Sequence, residues 1–196
     1  MTTRLTAQDW IDFALVALAR EGSDALKADV LARKMHVSRG SFYWHFADLA
    51  QFHSEVIGYW RQVATEAIIA DIERNESRER RIDALLRHAF GDGAVLELRI
   101  RTWADSNAEA ARALADVDRR RREYIKDLLM EMGIAEPLAA TRAQVLYWAY
   151  LGAAWSRSKL TGEQLEQMVA ELKRVALGGR VGNDAAERRL ELRRRR

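Results

Sequence analysis

A single proline, Pro137, stands in a chain of 196 residues, and glycine occurs only 11 times. Breakers this scarce leave long stretches in which nothing forces the backbone out of a helix. Ala, Leu, Arg and Glu dominate, and the alternating apolar and polar runs that would mark strands are missing. The chain therefore reads as all-α. With 48% hydrophobic residues it can form a real core, as one large domain or two small ones sharing an interface.

The apolar spacing places the helices. Thr6 with Asp9 three residues later forms a near-capping box. Trp10, Phe13, Ala14, Ala17 and Leu18 then make one stripe that Gly22 closes. A shorter helix is predicted over 25–34 with Val30 and Leu31 inward, then a tight connection over 35–38 and a third helix over 39–46. Asp48, with Gln51 at the third position, can cap a fourth helix whose stripe runs through Phe52, Val56, Tyr59 or Trp60, Val63 and Ala67 to about Arg74. Some 26 residues at 1.5 Å each make about 39 Å, long enough to bridge two subdomains. The polar run 74–81 reads as a solvated turn. Helices follow over 81–90, 94–104, 108–132 (closed by Gly133), 138–159 (started by Pro137) and 162–177.

The segment from Val37 to Phe46, Val-Ser-Arg-Gly-Ser-Phe-Tyr-Trp-His-Phe, points to function. Ser38 can cap the short helix, and Arg, Ser, Tyr, Trp and His crowd into two turns. Such side chains pair with phosphates, reach base edges and stack on sugars. No acidic residue occurs from Val30 to Ala47, although 31% of the chain is charged. Two short helices joined by a tight turn form a helix-turn-helix, whose second helix enters a DNA major groove. Phe42 and Phe46 are expected to be core residues pinning that helix.

The +3 net charge misleads as an average. Arg188, Arg189 and Arg193 to Arg196 supply six positive charges; without them 26 basic residues face 29 acidic ones, a balance of −3. Nucleic-acid contact must therefore be local. The absence of cysteine excludes disulfides, thiol catalysis and cysteine-based zinc sites, and suits a reducing cytoplasm. No secretory leader and no run of about 18 apolar residues is present, so a soluble cytoplasmic protein without membrane contact is expected. His36, His45, His53 and His88 show no clustered spacing, so neither metal nor cofactor is expected. No Ser-His-Asp spacing, Gly-rich phosphate loop or apolar carboxylate pair suggests an enzyme.

At this point residues 5 to 57 resemble the N-terminal DNA-binding domain of the TetR family of transcriptional repressors. The likeness rests on the first helix ending in Gly22, then Leu31-Ala32, Val37-Ser38, Arg39-Gly40 and Tyr43-Trp44-His45-Phe46. The later chain resembles the family only in its helical architecture. The resemblance implies an all-α fold with a three-helix, helix-turn-helix DNA-binding domain over 1–50, a helical ligand-binding and dimerisation domain over 51–178, and a basic, disordered tail over 179–196. It implies a homodimeric repressor on a palindromic double-stranded DNA operator, released by an unknown small-molecule effector. Position by position, Ser38, Arg39 and Ser41 fall where the family contacts phosphates or bases, Tyr43 and His45 where it contacts phosphates, and Gly40 where the backbone approaches closely. Trp44 takes a variable, DNA-facing position, and Lys27 lies where the second helix touches phosphate. Two departures stand out. Ala47-Asp48-Leu49-Ala50 lacks the phosphate-binding lysine common in the family, and His36 stands where glycine is common. The first of these supports the alternative of a helical scaffold that has lost operator binding.

The C-terminal half is rich in aromatics, and the helix over 138–159 is apolar on nearly every face, so it must be covered on several sides. One side, Tyr147, Tyr150, Leu151 and Ala154, is expected to meet the dimer partner with Leu165, Met168, Val169 and Leu172, as a four-helix bundle. The other, Trp148 and Gly152, is expected to line a ligand pocket with Trp60, Leu98, Thr102, Trp103, Tyr124 and Leu128. The run Arg119 to Arg122 is expected to be a solvated face paired with Asp116, Asp118 and Glu123.

Overall fold

The computed structural model describes residues 5–91, 94–156 and 160–178. The tail over 179–196, with its terminal arginines, and the predicted helix end at Lys159 lie outside the described residues. Among the described residues every regular element is helical.

Helix α1 (Ala7–Glu21) opens on a complete capping box between Thr6 and Asp9 and closes on Gly22, whose φ of +86° an L side chain rarely adopts. The second helix begins later than its spacing predicted. Ser23–Ala25 is one 3₁₀ turn, and α2 (Ala28–Lys34) follows with Lys27 in the extended capping position. α2 ends in a Schellman motif: His36 N–H donates to Arg33 O at 3.3 Å and Val37 N–H to Ala32 O at 2.9 Å. That geometry needs a left-handed residue, and His36 supplies it with φ +56°. This explains why the family pattern has glycine there.

α3 is only Arg39–Tyr43, shorter than the predicted 39–46. Ser38 takes the capping backbone position, but its hydroxyl makes no capping hydrogen bond. The chain leaves the helix at Trp44 because Phe42 and Phe46 both turn into one aromatic cluster. Phe42 packs on Trp10, Phe46 and Phe52 at centroid distances of 5.4, 5.1 and 5.0 Å. All four rings are buried, which fixes α3 against α1 and α4.

Asp48 caps α4 (Leu49–Arg61) by accepting from Gln51 N–H at 2.8 Å. The helix continues through a π-helical segment, Gln62–Glu66, into α5 (Ala67–Glu73), so the long connector is a single rod with one widened turn. The polar run that follows is not all turn. Ser77 accepts from Arg80 N–H and starts α6 (Arg78–Phe90), because a good cap outweighs a run of exposed charge. α7 (Ala94–Ala104), α8 (Ala108–Glu131), α9 (Glu136–Ser156) and α10 (Gly162–Leu177) complete the helices of the described residues.

Two cores result. One joins α1–α4 to Ile100, Trp103, Ala110 and Val117; the other gathers α6, the end of α8, α9 and α10. The first core crosses residue 50 without a break, so the helix-turn-helix rests directly on α7 and α8. Arg99 of α7 donates to the α1 end at Ala19 O and Arg20 O, both at 3.4 Å. His53 of α4 stacks edgewise on Trp103 at 5.1 Å and meets Leu26 O at 3.1 Å.

Candidate nucleic-acid interface and buried cavity

The surface around α3 follows from its packing. With Phe42 turned inward, the helical rotation sends Ser38, Arg39, Gly40, Tyr43 and Trp44 to solvent, while Ser41 and His45 are half-buried. Trp44 is 70% exposed, although burying an indole is worth a few kcal/mol. Arg39 donates to Tyr43 Oη at 3.0 Å and lies over its ring at 5.4 Å, so the two form one prearranged donor pair. A Cβ added at Gly40 would meet nothing in the protein nearer than Ser38 Oγ at 3.7 Å, so no internal contact requires glycine. Lys27 is exposed and paired to Asp24 at 3.1 Å, one α2 turn from this face. Asp48 engages its carboxylate in the α4 cap.

A cavity of about 300 Å³ lies beneath the π turn, between α4–α5, α6, α7, α8 and α9. Trp60, Val63, Ile68, Ile69, Ile72, Leu85 and Phe90 are part of its apolar wall. One pole is polar. There Arg121 donates from Nε to Thr65 Oγ1 at 3.1 Å, from Nη1 to Glu97 Oε2 at 3.0 Å and from Nη2 to Ala64 O at 2.9 Å. Behind it Arg101 joins Glu97 Oε1 at 2.8 Å to Asp118 Oδ1 at 2.7 Å, and Tyr147 Oη donates to Asp118 Oδ1 at 2.6 Å. Burial works against the Arg121 charge, but Glu97 and the neighbouring tyrosine oxygens hold it fully protonated. Burial, with the Asp118 hydrogen bond, raises the Tyr147 hydroxyl; burial, with the Glu97 charge, pushes Tyr150 up to about 12. His88, at the solvent-facing edge, is held below its ordinary value by burial and by Arg121.

Of the residues expected to line a pocket, Trp60 and Tyr124 do so. The others do not. Leu98 packs inward, Thr102 is exposed and bonds back to Leu98 O, Trp103 belongs to the N-terminal core, and Leu128 lies in the second core. Trp148, 63% exposed, and Gly152 face outward on α9. The two sides of α9 are thus exchanged. Tyr147 and Tyr150, expected at a dimer surface, line the cavity, while Ala154 and Val169 are buried and Leu151, Leu165 and Leu172 half-buried within the chain. Met168 alone of that set is exposed. An all-round apolar helix offers no periodicity by which to tell its faces.

The arginine run also divides. Arg119 is exposed and pairs with Asp116, Arg120 reaches Glu66 and Arg122 reaches Gln144, but Arg121 turns inward with its side chain only 15% exposed. Glu97 and Arg121 are the functional candidates that composition missed. The signal was positional, since Arg121 falls in the stripe Val117, Tyr124, Ile125, Leu128 that faces the core. Among the described residues no group of three His, Cys, Asp or Glu is placed to hold a metal ion, and no helix is long and apolar enough to cross a membrane.

A capped α1, a helix-turn-helix at one end and a cavity-bearing helical body at the other match solved regulators over nearly their full length. A transcriptional regulator from Rhodococcus sp. Rha1 superposes with a TM-score of 0.73 at 18% identity, covering 89% of this chain and 97% of that one. A TetR transcriptional regulator from Legionella pneumophila gives 0.65 at 16% identity, over 89% and 98%. The fold is that of the TetR-family regulators. A third protein with this TetR-type fold, described as a transcriptional regulator from Saccharomonospora viridis and solved in complex with choline, gives 0.65 at 15% identity, over 85% and 93%. Neither a protein-family model nor a curated protein matches the sequence.

Proposed function

We propose that this chain is a DNA-binding transcriptional regulator, a homodimeric repressor that leaves a palindromic operator when a small molecule occupies its cavity. The observation that carries this reading is α3. It is exposed on its polar face, has no acidic residue of its own, and is held rigidly by Phe42 in a TetR-type scaffold. Ser38, Arg39, Ser41, Tyr43 and His45 are the candidates for phosphate and base contact, with Trp44 shaping preference, Gly40 allowing close approach and Lys27 adding a phosphate contact. A dimer would present two copies of α3 to successive major grooves, about 34 Å apart on one face of the duplex. The exposed apolar row Val145, Trp148 and Trp155 on α9, with Met168 and Val175 on α10, supports a second copy of this chain as the partner.

The effector would act through the α4–α5 rod, which carries cavity-lining residues from Trp60 to Ile72 and also packs under α3. It must bind the released state more tightly than the DNA-competent one. The scaffold alternative rests on Asp48, which accepts a hydrogen bond in the α4 cap but keeps its charge, and on the missing lysine; the DNA-binding test decides it. The test is selection of bound fragments from the source genome, followed by gel shift at moderate salt. A sequence-selective complex that Arg39→Ala abolishes is expected; no selective complex at any dimer concentration overturns the proposal.

A further inference from the structure

We infer that the effector is an uncharged, mainly hydrocarbon molecule with one hydrogen-bonding oxygen, such as an alcohol, ketone or ester. The inference rests on reading the cavity as the effector site. It comes from the charge balance at the polar pole: Glu97 and Asp118 face Arg101 and Arg121, two charges of each sign, with no net charge left for a ligand ion to neutralise.

The pairing is also saturated. Each oxygen of Glu97 already accepts from one arginine, and the two oxygens of Asp118 accept from Arg101 and Tyr147. A ligand cation therefore finds no open carboxylate. A ligand anion could accept only from the N–H groups of Arg121 not already given to Glu97, Thr65 and the Ala64 carbonyl, at a pole with no net positive charge to offset its desolvation. What stays open is modest: the remaining N–H groups of Arg121, which suit one neutral acceptor. About 300 Å³ is room for roughly ten waters at ~30 Å³ each, the scale of a small molecule.

The experiment compares octan-1-ol, octanoate and octylammonium, which share a chain and differ in charge. Calorimetric titration of the full chain at neutral pH, without DNA, measures the cavity alone, so the outcome is separate from operator binding. Octanol is expected to bind at least tenfold tighter than either ion. Because partitioning alone favours the alcohol, two variants set the decisive comparison. Glu97→Gln gives the pole a net positive charge and is expected to improve octanoate at least tenfold against octanol. Arg121→Met gives a net negative charge and is expected to do the same for octylammonium. If one variant fails to fold, as read by circular dichroism, the other carries the test. An ion equal to octanol in the native chain, selectivity unmoved in the folded variants, or no binding of any of the three overturns the inference. If the ligands bind but the order is wrong, only the chemical class fails and the effector cavity stands.

Discussion

Arg121 Nη2 donates to the carbonyl oxygen of Ala64 at 2.9 Å, so a half-buried guanidinium from α8 fastens the π turn of the α4–α5 rod. A π turn displaces carbonyls from their usual i−4 partners, and such turns concentrate at functional positions. Here the same guanidinium pairs with Glu97, which is 4% exposed, so the turn and the ion pair stand or fall together. Arg121→Ala is expected to cost about 3 kcal/mol, near the low end for breaking a buried pair because Arg101 still neutralises Glu97. Urea unfolding followed by circular dichroism measures it. The double variant Glu97→Gln with Arg121→Met should lose less than Arg121→Ala alone, and a larger loss would show that the pair is not the source.

Gly40 separates fold from recognition. A methyl group there meets only Ser38 Oγ at an ordinary 3.7 Å, and alanine is the better helix former by up to about 1 kcal/mol. Gly40→Ala should therefore melt at the same temperature or slightly higher. Against the operator it should bind at least tenfold more weakly, because in the proposed interface the added carbon would sit where the phosphate backbone comes close. A variant that is both stable and fully active would remove Gly40 from the interface.

How far the residues announced this arrangement depends on whether a signal was local. The α1 capping box, the Asp48 cap, the inward Phe42 and Phe46 and the helices from α7 to α10 were legible because caps and 3.6-residue stripes are encoded nearby in the chain. The end of α3 was not, since it is set by two phenylalanines meeting Trp10 and Phe52 from other helices. The cavity was legible at only two of the eight residues expected to line it. Trp60, on its stripe, and Tyr124, among the C-terminal aromatics, were expected there, but α9 carries aromatics on every side, and only the packing of α8 against it sends Tyr147 inward and Trp148 outward. Arg121 was hidden in a run of four arginines of which the others are tied at the surface or to Gln144.

His36 stores a small strain. Left-handed backbone costs an ordinary L-residue about 1 kcal/mol, and the Schellman closure of α2 imposes φ +56° on this histidine. His36→Gly should raise stability by up to about 0.5 kcal/mol, the entropy of glycine in the unfolded chain offsetting much of the relief. His36→Val, branched at Cβ, should lower it. The two thermal melts, taken at one pH, should move in opposite directions; a shared direction would place the cause in the side chain rather than the backbone.

Trp148 and Trp155 stand seven residues apart on α9, each 63% exposed, and Val145 lies one turn before the first. Two large indoles on one helix face lose several kcal/mol of transfer free energy if left in water, which a second copy of the chain can recover by covering them. Met168 and Val175 repeat the seven-residue spacing on α10, an apolar pattern that suits the four-helix-bundle seam of the proposed dimer. Trp148→Glu places a charge in that seam twice by symmetry, while within one chain it only makes an exposed side chain polar. Sedimentation velocity should therefore find a dimer for the native chain and a monomer for the variant, with the helical circular dichroism of each protomer retained. Because two half-sites must be held together for tight operator binding, the same variant should lose at least a hundredfold in affinity for a palindrome while affinity for an isolated half-site changes little. A monomeric native chain, or a variant that stays dimeric, would place the interface elsewhere.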